Sequence, residues 1–131
     1  ASRDHRAFCG FSMGSVATWR TFQHCLDEFR YFMPSSGSIT SDGESMASVV
    51  KDSGYEWNDF FIYAASGTED FAYSSFKSQI EAMASVSDGT FRYGDDEKDS
   101  NLYFLEQAGG THSGEYAMEY FYNGLCWIWQ Q

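Results

Sequence analysis

The pentapeptide Gly10-Phe11-Ser12-Met13-Gly14 places a serine between two glycines near the start of the chain. The apolar residues before it, Ala7 to Phe11, predict a short buried strand, and the residues from Ser15 onward predict a helix. A serine on such a strand-to-helix turn is held with its hydroxyl exposed, and the unpaired N–H groups of the helix suit a developing oxyanion. The pattern therefore predicts that Ser12 is a nucleophile; the alternative is a plain Gly-Ser turn.

A nucleophilic serine needs a base, and the chain has three histidines. His5 precedes the serine motif, and His24 lies in the predicted helix, where we expect its side chain to point away from the strand end. His112 follows the apolar run Leu102 to Leu105 and lies in the segment Gly109-Gly110-Thr111-His112-Ser113. A loop at the carboxyl end of a strand is where a catalytic imidazole is needed, so the sequence favours His112. The alternative is a loop or helix-capping histidine.

The base needs a carboxylate to orient it, and two candidates follow a third strand. The apolar run Phe60 to Ala65 predicts a strand buried on both faces. Glu69 and Asp70 both lie just beyond its carboxyl end, and only one of them can face His112. Asp70 is preferred and Glu69 stays open, because composition alone does not separate them. Either one is alternatively a solvated loop carboxylate or a helix cap.

The order serine, acid, histidine at three successive strand ends is that of the α/β-hydrolases. Three segments carry a closer resemblance, to the carboxyl-terminal half of a feruloyl esterase of carbohydrate esterase family 1: residues 3–15, Gly67-Thr68-Glu69-Asp70 and Gly109-Gly110-Thr111-His112. The similarity runs over nearly the whole chain, and this esterase D-related family occurs in xylan-degrading multidomain enzymes. By this resemblance Ser12 is the nucleophile, Asp70 rather than Glu69 is the acid, and His112 is the base.

The chain is short for this class of domain. A complete α/β-hydrolase needs about 200–250 residues, whereas this chain has 131. We therefore expect residues 1–131 to form one α/β domain, the carboxyl-terminal portion of a three-layer α-β-α fold without its amino-terminal strands. One oxyanion donor can be assigned, the backbone N–H of Met13. The sheet edge left open predicts pairing with an upstream polypeptide segment or with a second copy.

The other predicted elements alternate between strands and helices. A proline, Pro34, is expected to end one strand, and Ser41 with Glu44 has the spacing of a capping box that opens a helix. The predicted elements are a strand at 29–33, a helix from Ser41 to about Lys51 that Gly54 ends, a helix at 74–86, a hairpin of strands 90–93 and 101–105 around an acidic loop, and a helix at 115–129.

Composition limits the partners. The net charge of −11 argues against nucleic acid and anionic membrane surfaces, and no run of eighteen apolar residues is present. The three cysteines lack metal-ligand spacing, and no metal or organic cofactor is implied. Cys9, on the first strand, is expected to be a small buried residue, and nothing supports a bridge between Cys25 and Cys126.

Aromatic residues make up 19% of the chain, and most of them must belong to the core. A few near the predicted strand ends are candidates for packing against a phenolic ring or a sugar, because tyrosine and tryptophan combine an apolar face with a polar group. The candidates are Phe11, Trp19, Tyr73 and Tyr55.

The resemblance implies a secreted serine esterase that hydrolyses hydroxycinnamoyl esters on arabinoxylan through a Ser-His-Asp triad. Feruloylated xylan or its oligosaccharides are then the expected partners. Acetylxylan esterase is the alternative within the same class, because the amino-terminal half of the domain, which this chain is expected to lack, builds part of the acyl pocket. Outside that class, the alternative is a non-catalytic fragment that acts only in interaction or carbohydrate binding.

Overall fold

Four parallel strands form one sheet at the centre of the protein, for which a computed structural model describes residues 2–131. The strands are β1 (Ala7–Phe11), β2 (Tyr31–Ser35), β3 (Phe61–Gly67) and β4 (Leu102–Gln107). They lie in the order β1-β2-β3-β4, and each neighbouring pair is parallel. Crossovers between parallel strands are right-handed, so this sequential order carries the connecting helices to a single face of the sheet.

Four helices complete three layers. They are α1 (Met13–His24), α2 (Gly43–Ser53), α3 (Tyr73–Ala84) and α4 (Gly114–Trp129), with short 3₁₀ turns at Arg3–His5 and Trp57–Asp59. The first three helices bury the larger core on one face of the sheet. The last helix covers the other face, where Trp127 and Ile128 pack on a smaller apolar cluster. The predicted three-layer α-β-α arrangement is therefore present.

β3 is buried on both faces, as the sequence predicted. All seven of its residues are buried. Ile62 and Ala64 face the larger core, and Phe61 and Tyr63 face α4, as the alternating directions of strand side chains require. A run that is apolar throughout was needed because both faces of this strand are covered.

β1 is less buried than predicted, because it is an edge strand. Within residues 2–131 it pairs with β2 on one side and with no strand on the other. Cys9 is aligned with Met33 and so points to the face that α4 covers, yet it is exposed at this sheet edge. The prediction of a buried Cys9 was wrong for this reason. Cys25 and Cys126 are also free thiols, so no bridge joins them.

Two local predictions were wrong about a boundary. Pro34 lies inside β2 rather than ending it, and the register with β3 skips Met33 and Pro34 while the register with β1 continues. Proline has no N–H to donate, so only one of the two ladders is interrupted. The cap of α2 is Asp42 and not Ser41, since the Asp42 carboxylate accepts from the N–H groups of Glu44 and Ser45.

The predicted hairpin at 90–105 was also wrong. Residues 90–93 form only an isolated parallel bridge, between Tyr93 and Leu102. The side chain of Asn101 fixes this segment instead, because its Oδ1 accepts from Arg92 N at 2.8 Å and its Nδ2 donates to the Thr90 carbonyl at 2.8 Å. Side-chain hydrogen bonds of this kind offer the backbone an alternative to a sheet ladder.

Candidate active site

Ser12 occupies the sharp turn between β1 and α1. Its backbone angles are φ 62° and ψ −113°, a combination that residues with a Cβ rarely adopt. The Ser12 N–H donates to the Ser35 carbonyl of β2 at 2.9 Å, and the Ser12 carbonyl accepts from Ser15 and Val16 of α1. The neighbouring strand and the first helical turn thus hold the strained residue from both sides.

The two glycines that flank this turn differ in their surroundings. A Cβ on Gly10 would overlap the backbone carbonyl of Gly14, so strand and helix approach each other too closely for any larger residue. A Cβ on Gly14 would have no atom within 4 Å. The close approach therefore requires glycine at Gly10, whereas position 14 has room for a side chain.

Ser12, His112 and Asp70 form a chain of hydrogen bonds. His112 Nε2 lies 2.9 Å from Ser12 Oγ, and His112 Nδ1 lies 2.8 and 2.9 Å from the two carboxylate oxygens of Asp70. In the tautomer with its proton on Nδ1, the imidazole donates to Asp70 and leaves Nε2 free to accept from the Ser12 hydroxyl. This is the arrangement that general-base activation of a serine needs.

The loops that carry Asp70 and His112 are joined through their backbones. Glu69 N donates to the Gly110 carbonyl at 2.9 Å, and Thr68 N donates to the Gln107 carbonyl at 3.0 Å. The Asp70 carboxylate is buried and also accepts from Ala72 N at 2.8 Å. Glu69 is exposed and contributes its backbone here, so Asp70 is the carboxylate that the structure places against His112.

A shallow pocket of about 360 Å³ opens over Ser12 and His112. The start of α1 forms one wall, and Met13 is the first residue of that helix, so its N–H has no acceptor within the helix. The loop after β2 forms a second wall and is held to α1, because the Gly37 carbonyl accepts from Ser15 Oγ and Trp19 Nε1. The remaining lining residues are Val16, Ser36, Ser38, Phe71, Ala72 and Ser75.

Three of the predicted ring contacts do not line this pocket. Trp19 has no exposed surface and packs against Phe22 and Phe76 in the larger core, so its prediction as a substrate contact was wrong. The hydroxyl of Tyr73 hydrogen-bonds to the Glu106 carboxylate, and Tyr73 is not among the pocket residues. Tyr55 lines a separate cavity near the end of α1. Trp19 and Tyr73 lie in helices. The spacing of apolar residues in a helix indicates which side faces the core, but it does not show which residues cover a given side chain.

Phe11 and Phe71 flank the imidazole of His112. The ring centroids of Phe11 and His112 are 4.7 Å apart, and those of Phe71 and His112 are 4.2 Å apart. Phe71 is 82% exposed and lines the pocket. Sequence reasoning missed it, although its position directly after Asp70 was a usable signal.

Ser36, in the loop after β2, is a second pocket residue with unusual properties. Its φ is 58°, and its buried hydroxyl has no hydrogen-bond partner among the described residues. A strained backbone with an unsatisfied polar group is typical of functional sites, and no signal in the sequence marks either property.

Tyr120 of α4 approaches the acid from the opposite side of the sheet. Its hydroxyl is also buried without a partner among residues 2–131. Burial, with a smaller contribution from the Asp70 charge, raises the pKa of Tyr120 to about 12. The phenol therefore stays neutral beside the carboxylate at any ordinary pH.

The described part of the chain contains no group of three or more His, Cys, Asp or Glu side chains suited to a metal ion. Within the same residues, no helix combines the length and apolarity that a membrane span needs.

Comparison with known proteins gives one sequence relative and several solved structures. No protein-family model matches the chain. The chain is 38% identical over 137 aligned residues to endo-1,4-beta-xylanase Y from Acetivibrio thermocellus, and the match covers 100% of this chain and 12% of that protein. The similarity is therefore to one section of a much longer polypeptide.

The solved structures confirm the fold. A serine-to-alanine mutant of the feruloyl esterase module from Clostridium thermocellum, complexed with sinapinate, matches with a TM-score of 0.89 and 38% identity over 95% of this chain and 46% of that one. A ferulic acid esterase matches with a TM-score of 0.66 at 18% identity, over 97% of this chain and 52% of that one. The chain spans about half the length of these structures, and its architecture is part of an α/β-hydrolase fold.

Proposed function

Because the chain is a homologue of part of a feruloyl esterase module, we propose that it carries the catalytic triad of a serine esterase. The observation that supports this most directly is the hydrogen-bonded chain from Ser12 Oγ through His112 to the buried Asp70 carboxylate. Ser12, Asp70 and His112 follow three different strands, and their side chains lie at hydrogen-bonding distances. This geometry argues against a non-catalytic fragment with an inert triad.

The proposed reaction is acyl transfer to water. His112 Nε2 takes the proton of Ser12, the Ser12 oxygen attacks the ester carbonyl, and Asp70 stabilises the imidazolium that forms. The Met13 N–H donates to the oxyanion. His112 then protonates the departing alcohol, and a water molecule activated by the same imidazole releases the acid and restores Ser12.

The proposed substrates are feruloyl and related hydroxycinnamoyl esters on arabinoxylan. Support comes from two sources: the relative is a xylanase, and the solved module binds sinapinate. The exposed ring of Phe71 in the pocket favours an aromatic acyl group over acetyl, the group that an acetylxylan esterase removes. An insoluble cell-wall polymer as substrate accords with a secreted protein, which we propose on that ground.

A complete site needs one more structural part. The Met13 N–H is the single oxyanion donor that we assign, and loss of one such donor typically costs about 10²–10³ in rate. We propose that a polypeptide segment which pairs with the open edge of β1 supplies the second donor and completes the sheet. In its absence, a second copy of the chain is the available partner for that edge.

The test is hydrolysis of methyl ferulate by the wild type and by Ser12→Ala, Asp70→Asn and His112→Ala. We expect each substitution to lower kcat by about 10⁴-fold or more where the wild type is active. Ser74→Ala is the matched control, because Ser74 is exposed on α3 and lies outside the pocket. An unchanged rate in Ser12→Ala would exclude Ser12 as the nucleophile.

Labelling with a fluorophosphonate separates an assembled triad from an incomplete oxyanion hole. Reaction at Ser12 depends on the activated hydroxyl, so we expect labelling of the wild type and none of His112→Ala. Folded wild-type protein that neither turns over nor labels would favour the non-catalytic alternative. Faster release of acetate than of ferulate from matched esters would favour an acetylxylan esterase.

A further inference from the structure

Phe71 is unusual in leaving a large ring in water beside a reactive group. Its side chain is 82% exposed, although burial of a phenyl ring is favourable. It follows Asp70 directly and belongs to the turn that leads into α3. Phe71 belongs to neither hydrophobic cluster and lines the pocket beside His112.

The Phe71 ring is held close to the reacting atoms. Its centroid lies 4.2 Å from that of His112, whose Nε2 is 2.9 Å from Ser12 Oγ. The backbone on either side of Phe71 is fixed by the acid, because Ala72 N donates to the Asp70 carboxylate at 2.8 Å. The ring is therefore an exposed apolar surface close to His112 and Ser12, where an acyl group on Ser12 would lie.

The loop after β2 gives the pocket a polar wall. It consists of Ser36, Gly37 and Ser38, and the Gly37 carbonyl is held by Ser15 and Trp19 of α1. A flat group in the pocket can meet the aromatic face of Phe71 and the polar groups of the loop after β2. A phenolic ring offers both an apolar face and a polar group, whereas an acetyl group has no ring to place against Phe71.

We propose that Phe71 is a specificity-determining residue, whose ring packs against the aromatic ring of the bound acyl group and selects it over aliphatic acyl groups. The proposal rests on the proposed esterase function of the same pocket. Aromatic pairs with centroids 4.5–7 Å apart gain more than simple burial gives, and an aliphatic acyl group gains nothing comparable. The competing explanation is that Phe71 only packs on the imidazole and positions His112.

The two explanations differ in what a substitution does to different esters. Para-nitrophenyl ferulate and para-nitrophenyl acetate share a leaving group, so a comparison between them isolates the acyl part. We expect Phe71→Leu, which keeps apolar bulk and removes the ring, to lower kcat/KM for the ferulate about 3- to 10-fold and for the acetate less than about 2-fold. Tyr122→Leu is the control, since Tyr122 is also a largely exposed ring, on α4 and outside the pocket.

Equal losses on both esters would assign Phe71 to positioning of His112 and overturn the proposal, as would no loss on either. A binding measurement keeps the test independent of turnover. In the Ser12→Ala background, calorimetry with free ferulate should show weaker binding after Phe71→Leu and the same binding after Tyr122→Leu. If the wild type hydrolyses neither ester, the proposed function fails, and the binding comparison still supports or overturns the role of Phe71.

Discussion

At the scale of single residues, the site stores strain in Ser12, the proposed nucleophile. Ser12 has φ 62°, a region that costs a residue with a Cβ about 1–3 kcal/mol. The hydrogen bonds of its N–H and carbonyl to β2 and α1 hold it there. This geometry exposes the hydroxyl to His112, so the backbone cost is tied to the position of the nucleophile.

The backbone strain at Ser12 predicts which of two variants without the Ser12 hydroxyl is the more stable. Ser12→Gly and Ser12→Ala both remove the hydroxyl, but only glycine adopts this backbone freely. After allowing for the greater unfolded-state entropy of glycine, we expect Ser12→Gly to have the larger free energy of unfolding by about 1 kcal/mol. Urea denaturation of the two proteins measures the difference. A more stable Ser12→Ala would show that the turn is not strained in solution.

Tyr120 gives a prediction about pH. Its folded-state pKa is raised to about 12, against an unfolded value near 10, so folding favours the neutral phenol. The resulting stability is fully present below pH 10 and is lost as the pH rises from about 10 to 12. We expect Tyr120→Phe to reduce the fall in unfolding free energy across that window, measured by denaturant titration at each pH. An identical fall in both proteins would contradict the assignment.

The residues of the proposed triad follow patterns in the sequence, whereas most properties of the pocket around them do not. Ser12, Asp70 and His112 follow apolar runs and lie among glycines, so local pattern and chain order were enough to single them out. The exposure of Phe71 and the positive φ of Ser36 arise only when the loops after β2 and β3 meet over α1. Such properties belong to tertiary contacts and leave no period in the sequence.

At the scale of elements, apolar runs located the strands, including the bounds of β1, but did not show how many neighbours each strand has. β3 has a strand on each side and a helical layer on each face, so its apolar run identified it within a residue or two. β1 has the same apolar character but is an edge strand with two exposed residues. Residues 90–93 were predicted as a strand and form one bridge, because Asn101 takes up their backbone groups.

The junction of β1 and α1 predicts opposite effects for two similar substitutions. Gly10→Ala would place a methyl group on the Gly14 carbonyl, so strand and helix must separate and move Ser12 away from His112. We expect a destabilisation of about 1–3 kcal/mol and a loss of activity that exceeds it. Gly14→Ala meets no atom within 4 Å and gains helix propensity, so we expect unchanged or slightly greater stability.

Thermal unfolding and methyl ferulate hydrolysis of the two alanine variants check this difference. Each variant is the matched control of the other, because both change one glycine of the same pentapeptide. Equal effects would mean that the two glycines have the same role, contrary to their surroundings in the structure.

At the scale of the whole molecule, two unpartnered surfaces lie side by side. β1 presents an open edge, and the outer face of α4 leaves Met118, Tyr122 and Trp129 largely exposed. A groove of about 430 Å³ lies between the end of α4 and the start of β1. Monomeric proteins rarely leave contiguous apolar surface of this kind uncovered, and open strand edges pair readily. The net charge of −11 opposes association of like chains, so the apolar surface must act against that repulsion.

We expect purified chain that lacks the proposed completing segment to self-associate through this face. Leu125→Lys with Trp129→Lys should weaken the association by at least about 10-fold, because each change puts a charge where apolar surface would be buried. Sedimentation velocity over a concentration series measures it. Ser74→Lys with Ser78→Lys is the control, since it makes the same change in net charge on exposed positions of α3.

Salt distinguishes the apolar contribution from the electrostatic one. Screening at physiological ionic strength shortens the range of charge repulsion to about 8 Å, so an association driven by apolar surface should strengthen as salt is added. Weakening by salt, or an equal effect of the α3 control, would mean that charge rather than the α4 face governs association. A chain that stays monomeric at every concentration and salt would show that the β1 edge and the α4 face do not suffice to bind a second copy.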